Sequence, residues 1–167
     1  EESLSLDIVL YDSMRLSGTV IYNGQVVANA LVGISSDLID TWVRTDSRGR
    51  YSVIVPQGDV SIYATATVGG KEVVLLKEAT ATDSAVMDLV LEDGLVLSGL
   101  VQYSGNAISG AEVVLQDRDG GAKLTAVANS EGRFRAVLPS GLYFAYVTDG
   151  NHAFWGDVDI ESSASIT

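Results

Sequence analysis

The chain has 167 residues, of which 47% are hydrophobic and 19% charged, with 17 glycines, 2 prolines and no cysteine. That is enough apolar content for a real core, and it excludes a disordered chain, a disulfide framework and a zinc–thiolate site. Ten basic residues against 22 acidic ones give a net charge of −12, which repels phosphate backbones and anionic lipid, so no nucleic acid and no membrane surface is expected as a partner.

The first residue is Glu1, which fits either removal of a leader or excision from a longer protein. Residues 1–12 read as a free strand. Leu4, Leu6, Ile8 and Leu10 alternate with Ser3, Ser5, Asp7, Val9 and Tyr11, giving one wholly apolar face at period two. Short strand signals then follow at regular spacing: Leu16–Tyr22, Ala30–Ser35, Thr41–Thr45, Tyr51–Val55, Val60–Thr67, Lys71–Leu76 and Met87–Leu91. Asn23-Gly24 supplies positive φ for a hairpin, Thr45-Asp46-Ser47-Arg48-Gly49 offers an Asx-type turn closed by glycine, and Asn129-Ser130-Glu131-Gly132 does the same in the second repeat. No apolar run approaches the ~20 residues that span a bilayer, and no helical periodicity is sustained.

From Leu97 the pattern starts again. At an offset of 81 (Leu97 minus Leu16), Leu16, Ser17, Gly18, Val20, Tyr22 and Gly24 match Leu97, Ser98, Gly99, Val101, Tyr103 and Gly105. Asp7, Val9, Leu10 and Asp12 likewise match Asp88, Val90, Leu91 and Asp93. After two inserted residues, Gly49-Arg50-Tyr51 and Pro56 face Gly132-Arg133-Phe134 and Pro139. The expected organisation is a donor strand over 1–12, a first β-sandwich over 13–93 and a second over 94–167.

The stretches LSGTV…NGQVVANALVGI…VRTDSRGRYSVIVPQGDVSIYA and LSGLV…SGNAISGAEVVL…ANSEGRFRAVLPSGLYFAYV resemble the carboxypeptidase-regulatory-like domains. These are transthyretin-like, Ig-like seven-stranded sandwiches. The resemblance covers nearly the whole chain in two copies, carried by Gly-Arg-aromatic followed by Pro-x-Gly. It implies an all-β fold and a non-catalytic module in an extracellular or cell-surface setting, and it implies fold more than function.

The phase of the repeat carries the functional expectation. Ala85–Leu91 closes the first domain, with Ala85, Met87, Leu89 and Leu91 on its inner face. The second runs through Ala153–Ile160 and reaches Ala164-Ser165-Ile166-Thr167, so it lacks its last strand, while residues 1–12 have no domain of their own to complete. Leu4, Leu6, Ile8 and Leu10 are therefore the candidate subunit-interface residues, filling the second domain of a neighbour. Burying the four is worth about 6–12 kcal/mol. Chaperone–usher pilins assemble by the same logic of β-strand addition. Donor and acceptor lie at opposite ends of the chain, so the contact is heterologous and gives an open filament unless its rotation closes. The expected protein is a structural subunit of an extracellular filament, a homopolymer of itself; a tandem binding or spacer module of a longer surface protein, with carbohydrate as its ligand, is the alternative.

Chemistry finds little to hold. His152 is the only histidine, beside a turn before Phe154 and Trp155, and reads as a surface or capping residue. Asp117-Arg118-Asp119-Gly120 has carboxylates at i and i+2 before a glycine, but no downstream bidentate acid, so a solvated turn is expected instead of a calcium loop. Asp157 and Asp159 read as the wet face of a strand. No catalytic residue, cofactor or metal ligand is expected. Tyr143, Phe144, Tyr146, Phe154 and Trp155 concentrate aromatic surface in the second domain, which is where a sugar platform would lie.

Overall fold

A computed structural model describes residues 9–10, 12–161 and the backbone of 164–166. Among the described residues the chain is all strand and turn, with no helix. The first half consists of β1 (Ser13–Tyr22), β2 (Gln25–Val26), β3 (Leu31–Ser35), β4 (Asp40–Arg44), β5 (Arg50–Pro56), β6 (Gly58–Val68), β7 (Lys71–Ala81), β8 (Ala85–Val86) and β9 (Leu89–Asp93). The second consists of β10 (Leu95–Leu100), β11 (Gln102–Tyr103), β12 (Asn106–Ala107), β13 (Glu112–Asp117), β14 (Lys123–Val127), β15 (Arg133–Leu138), β16 (Gly141–Thr148), β17 (Ala153–Ile160) and β18 (Ala164–Ile166).

Local chemistry sets the turns. Asn23 and Gly24 adopt φ of 49° and 74° between β1 and β2, the two positive φ values that a tight hairpin needs. Ser104 and Gly105 do the same between β11 and β12, at 51° and 79°. Asp46 Oδ1 accepts the N–H groups of Arg48 and Arg50, each at 2.9 Å. Asn129 Oδ1 accepts those of Glu131 and Arg133 at 2.9 and 3.0 Å. These are the Asx turns expected at the matched positions.

Sheet connectivity separates the halves. In the first, strands join in one path β2-β1-β9-β7-β6-β3-β4, with β5 and β8 also pairing β1. The second divides into β15-β10-β18, β11-β12 and β14-β13-β16-β17. One apolar cluster, including Leu16, Val32, Ile34, Val55, Ile62 and Leu89, fills the first half. Another, including Leu97, Leu115, Phe134, Leu138 and Ile160, fills the second.

The second cluster also takes in Tyr63, Val74 and Leu76 from the outer face of β6 and β7. The halves therefore share a packed junction, which the repeat alone gives no sign of. The Tyr63 hydroxyl donates to the Val137 carbonyl at 3.1 Å, Arg135 pairs with Glu72 at 2.7 Å, and the Lys123 N–H donates to Ser61 Oγ at 3.0 Å. Burial raises the Tyr63 phenol above its ordinary range. At the joint, a Cβ on Gly94 would fall 2.6 Å from Val137 Cγ1 and 3.1 Å from Val74 Cγ1.

Gly18 shows why the Leu-Ser-Gly sequence matters. A Cβ there would lie 1.9 Å from the Met87 carbonyl oxygen, so only glycine lets the closing segment approach β1. Gly18→Ala should destabilise the first half by about 1–3 kcal/mol, as overpacking does, while Val90→Ala, at an exposed position on β9, should stay within about 0.5 kcal/mol. Thermal denaturation followed by circular dichroism reads both; equal midpoints for the two variants would remove the close-approach argument.

Candidate functional site

The first half shows what a completed groove looks like. β9 runs parallel to β1, with Val20, Ile21 and Tyr22 opposite Leu89, Val90 and Leu91. It is also antiparallel to β7, with Val73 opposite Asp93 and Val74 opposite Glu92. Leu89 and Leu91 are buried while Val86 and Val90 are exposed, the alternation expected for a strand with one inner face. Polar ties fix it. The Thr19 N–H donates to Asp88 Oδ1 at 2.8 Å, the Tyr51 hydroxyl to the Met87 carbonyl at 2.8 Å, and Lys71 pairs with Asp93 at 3.1 Å. Tyr22 also donates to Asp93. Burial pushes the Tyr51 phenol up to about 12, and the Tyr22 and Lys71 bonds hold the Asp93 carboxyl below its ordinary range.

The second half repeats this only in part. β18 lies parallel to β10, pairing Leu97, Ser98 and Gly99 with Ala164, Ser165 and Ile166, as β8 pairs Leu16 and Ser17 with Ala85 and Val86. Beyond Gly99, among the described residues, no strand bridges β10 to β17, and β17 pairs with β16 alone. Between these edges lies a groove of about 460 Å³, lined by Leu100, Val101, Gln102, Val113, Leu115, Phe134, Ala145, Val147, Phe154, Asp157 and Val158. Its walls are the counterparts of residues that β9 covers. Val20 is fully buried and its match Val101 only half-buried. Leu75, opposite Ala64 on β6, is half-buried, whereas its match Phe154, opposite Val147 on β16, is 59% exposed. Phe134 stands at the match of Tyr51 and has no hydroxyl to tie a closing segment.

Of the four residues expected to fill such a groove, Leu4, Leu6 and Ile8 lie outside the described residues. Leu10 is described and is 89% exposed, so at this position the segment does not pack on its own chain.

One end of the groove is pinned by the β16–β17 turn. Asp149 Oδ1 accepts the N–H groups of Asn151 and His152 at 2.8 and 2.7 Å, and Oδ2 meets His152 Nδ1 at 3.0 Å. The imidazole stacks on Tyr103 with centroids 3.8 Å apart. His152 is thus a turn residue that holds the β11–β12 hairpin against β17. The Asp117 loop is a turn as well: Oδ1 accepts the Asp119 N–H at 3.1 Å and Oδ2 the Gly120 N–H at 2.9 Å. Arg118 reaches Asp157 through Nε at 2.9 Å and lies 4.7 Å above the Phe144 ring. Among the described residues no three His, Cys, Asp or Glu side chains group as a metal site, and no helix is long and apolar enough to cross a membrane.

No family model matches the chain, and no curated protein does. Among solved structures it is similar to the Bacillus anthracis TIE protein, at 19% identity and a TM-score of 0.39 over 92% of this chain and 32% of that one. It thus spans about a third of that protein's length. It is similar to the shaft pilin SpaA of Lactobacillus rhamnosus GG at 10% identity and a TM-score of 0.40, over 93% of this chain and 96% of the pilin. A DUF3823 family protein from Parabacteroides merdae is similar at 11% identity and a TM-score of 0.40, over 91% of this chain and 100% of that one. What is shared at this level is a β-rich architecture.

The turn at the groove end has a pH signature. The His152 side-chain bond, then the backbone N–H groups of His152 and Asn151, lower the Asp149 carboxyl from 3.8 to about 2. A depressed folded value means that the turn's hold is complete above the ordinary carboxylate range and is lost as pH falls through about 2. Titration of the Asp149 carboxyl by NMR should give a midpoint near 2, and His152→Ala should move it back up. A midpoint unchanged by that substitution would show that the imidazole does not hold the turn.

Proposed function

We propose that this protein is a non-catalytic structural subunit of an extracellular filament, assembled head to tail by β-strand addition. Each half is read as a carboxypeptidase-regulatory-like sandwich, and the N-terminal segment of one copy fills the groove of the next copy's second half. The observation that carries this reading is the apolar groove between β10 and β17, at the place where the first half has β9. Backbone bonds along such an edge supply affinity, and alternate side chains supply register.

The register of the repeat favours one part of the donor. At the offset of 81, Ile8 and Leu10 match Leu89 and Leu91, whereas Leu4 and Leu6 match Ala85 and Met87. β18 already lies along Leu97–Gly99, the length of β10 that the last two would otherwise cover. In this register Ile8–Asp12 takes the open part, and Leu4 and Leu6 lie alongside the stretch that β18 holds.

The energetics are nearly balanced. Burying Ile8 and Leu10 contributes about 3–6 kcal/mol, and each ladder bond about 0.5–1.5. Ordering five residues costs about 5–10 kcal/mol. Strand addition through this segment alone is therefore weak, and a stable polymer calls for a further contact between copies.

Ile8→Asp introduces an unpaired carboxylate to an apolar slot and should abolish assembly measured by light scattering, with the monomer's unfolding temperature nearly unchanged. Asp7→Ser, on the other face, should assemble as the parent does. If Ile8→Asp instead unfolds the monomer and leaves association intact, the segment packs on its own chain and the filament reading fails. Intact mass of the natural material separates the alternative: a mass near 17.6 kDa supports a subunit, and a much larger one a tandem module of a longer surface protein.

A further inference from the structure

We propose that successive copies also meet face to face, with the outer surface of β16 and β17 around Tyr146 and Trp155 docking on the outer surface of β1 and β5 around Ile54 of the copy whose N-terminal segment fills the groove. This contact rests on the head-to-tail reading and repeats, between copies, the junction that the chain makes between its own halves.

The register supports the correspondence. Within the chain, the outer face of β6 and β7 packs on the outer face of β10 and β15, where Tyr63 and Val74 cover Val137 and all three are buried. Tyr63 lies opposite Gly33 as Tyr146 lies opposite Val114 (33 + 81), and Tyr63 faces Leu76 across its hairpin as Tyr146 faces Trp155, so Tyr63 and Leu76, both buried in this junction, match Tyr146 and Trp155. With the two inserted residues, Val137 matches Ile54 (137 − 83). The matched residues are not covered: Trp155 is 66% and Ile54 53% exposed. β5 keeps a strict outward–inward alternation through Ile54, and β15 departs from it only at Val137, where the junction falls. Each half thus carries both faces of one joint, and the chain uses one pair internally and leaves the other pair open.

Tyr146 and Trp155 are directly opposed on neighbouring strands, so their rings form one contiguous apolar surface, of the kind that marks an interaction site. Charge selects a second copy as its occupant. In a chain of −12, copies repel one another at long range, yet these two faces are complementary. Asp159, and Asp157 already paired with Arg118, share the outer face of β17 with Trp155, at period two. Arg15, opposite Ile54, and Arg50, already paired with Asp46, share the outer face of β1 and β5, so Asp159 and Arg15 carry the complementarity between the faces. The joint glycine Gly94 is matched by Ser13, whose Cβ would not fit the spacing of the internal joint, so the repeated junction opens to a different tilt.

The absence of native cysteine makes cross-linking a clean test. Full-length Tyr146→Cys and Ile54→Cys chains are assembled separately and as a mixture, then oxidised, with Trp155→Cys replacing Tyr146→Cys in a second mixture. Disulfide-linked dimers from a mixture, and none from either variant alone, support the docking, because the bond requires Cβ atoms about 3.5–4.5 Å apart. In a Trp42→Phe background, Trp155 emission should shift to the blue on assembly, and raising NaCl from 0.05 to 1 M should weaken that shift as the charge pairs are screened.

Normal filaments that yield no dimer in either mixture and no emission shift overturn the docking and leave strand addition standing. A parent chain that stays monomeric overturns both. A blue shift of the monomer on adding chitohexaose, without cross-linking, would identify the face as a sugar platform and also overturn the docking.

Discussion

Closure by β9 is the constraint on which the rest of this structure depends. A two-layered β fold exposes the rim of its core wherever its sheets are not joined, and a strand that bonds to one edge of each sheet seals that rim. β9 does so through Leu89 and Leu91, parallel to β1 and antiparallel to β7. The same inner positions recur in the second half, and the differences between a buried Val20 and a half-buried Val101, and between a half-buried Leu75 and an exposed Phe154, follow from one strand. Gly18 belongs to this closure as well, since the backbone of the closing segment can approach β1 only where no Cβ intervenes.

The junction between the halves shows how outward-facing residues are enlisted once a second surface is near. Tyr63, Val74 and Val137 sit on faces that water would otherwise wet, and their burial adds a polar tie from the Tyr63 hydroxyl and an Arg135–Glu72 pair to the apolar contact. Side-chain exposure of 52% at Arg135 and 28% at Glu72 makes that pair a small contributor in water; the covered apolar surface is the larger one. A strand in the groove and a face at the joint are different kinds of contact, one directional through backbone bonds and one broad. Strand addition, nearly balanced against the entropy of ordering the donor, is the kind of contact that gains most from a second, rigid surface.

Much of this was legible in the sequence. Period-two alternation located the strands, and the offset of 81 located the second copy of the pattern. Asp46 and Asn129 marked Asx turns that their carboxylate and amide oxygens do form, and the inner face of the closing segment was read correctly at Leu89 and Leu91. His152 was expected as a surface or capping residue beside a turn, but its stacking on Tyr103 was not, because the two residues are 49 positions apart (152 − 103) and belong to different hairpins.

The sequence by itself determined the β class, the internal repeat and the side of each strand that faces a core, because these depend on the chemistry of neighbouring residues along one chain. The tertiary structure alone decided which outward apolar residues are covered. Val137 and Ile54 stand at matched outward positions and are both aliphatic, yet one is buried and the other open, because only Val137 has Tyr63 and Val74 across from it. It likewise decided how much of the second groove is open, because the parallel pairing of β18 on Leu97–Gly99 depends on where the strand lands in space. Alternation along a strand says that one face is apolar; it carries no information about what stands opposite the other.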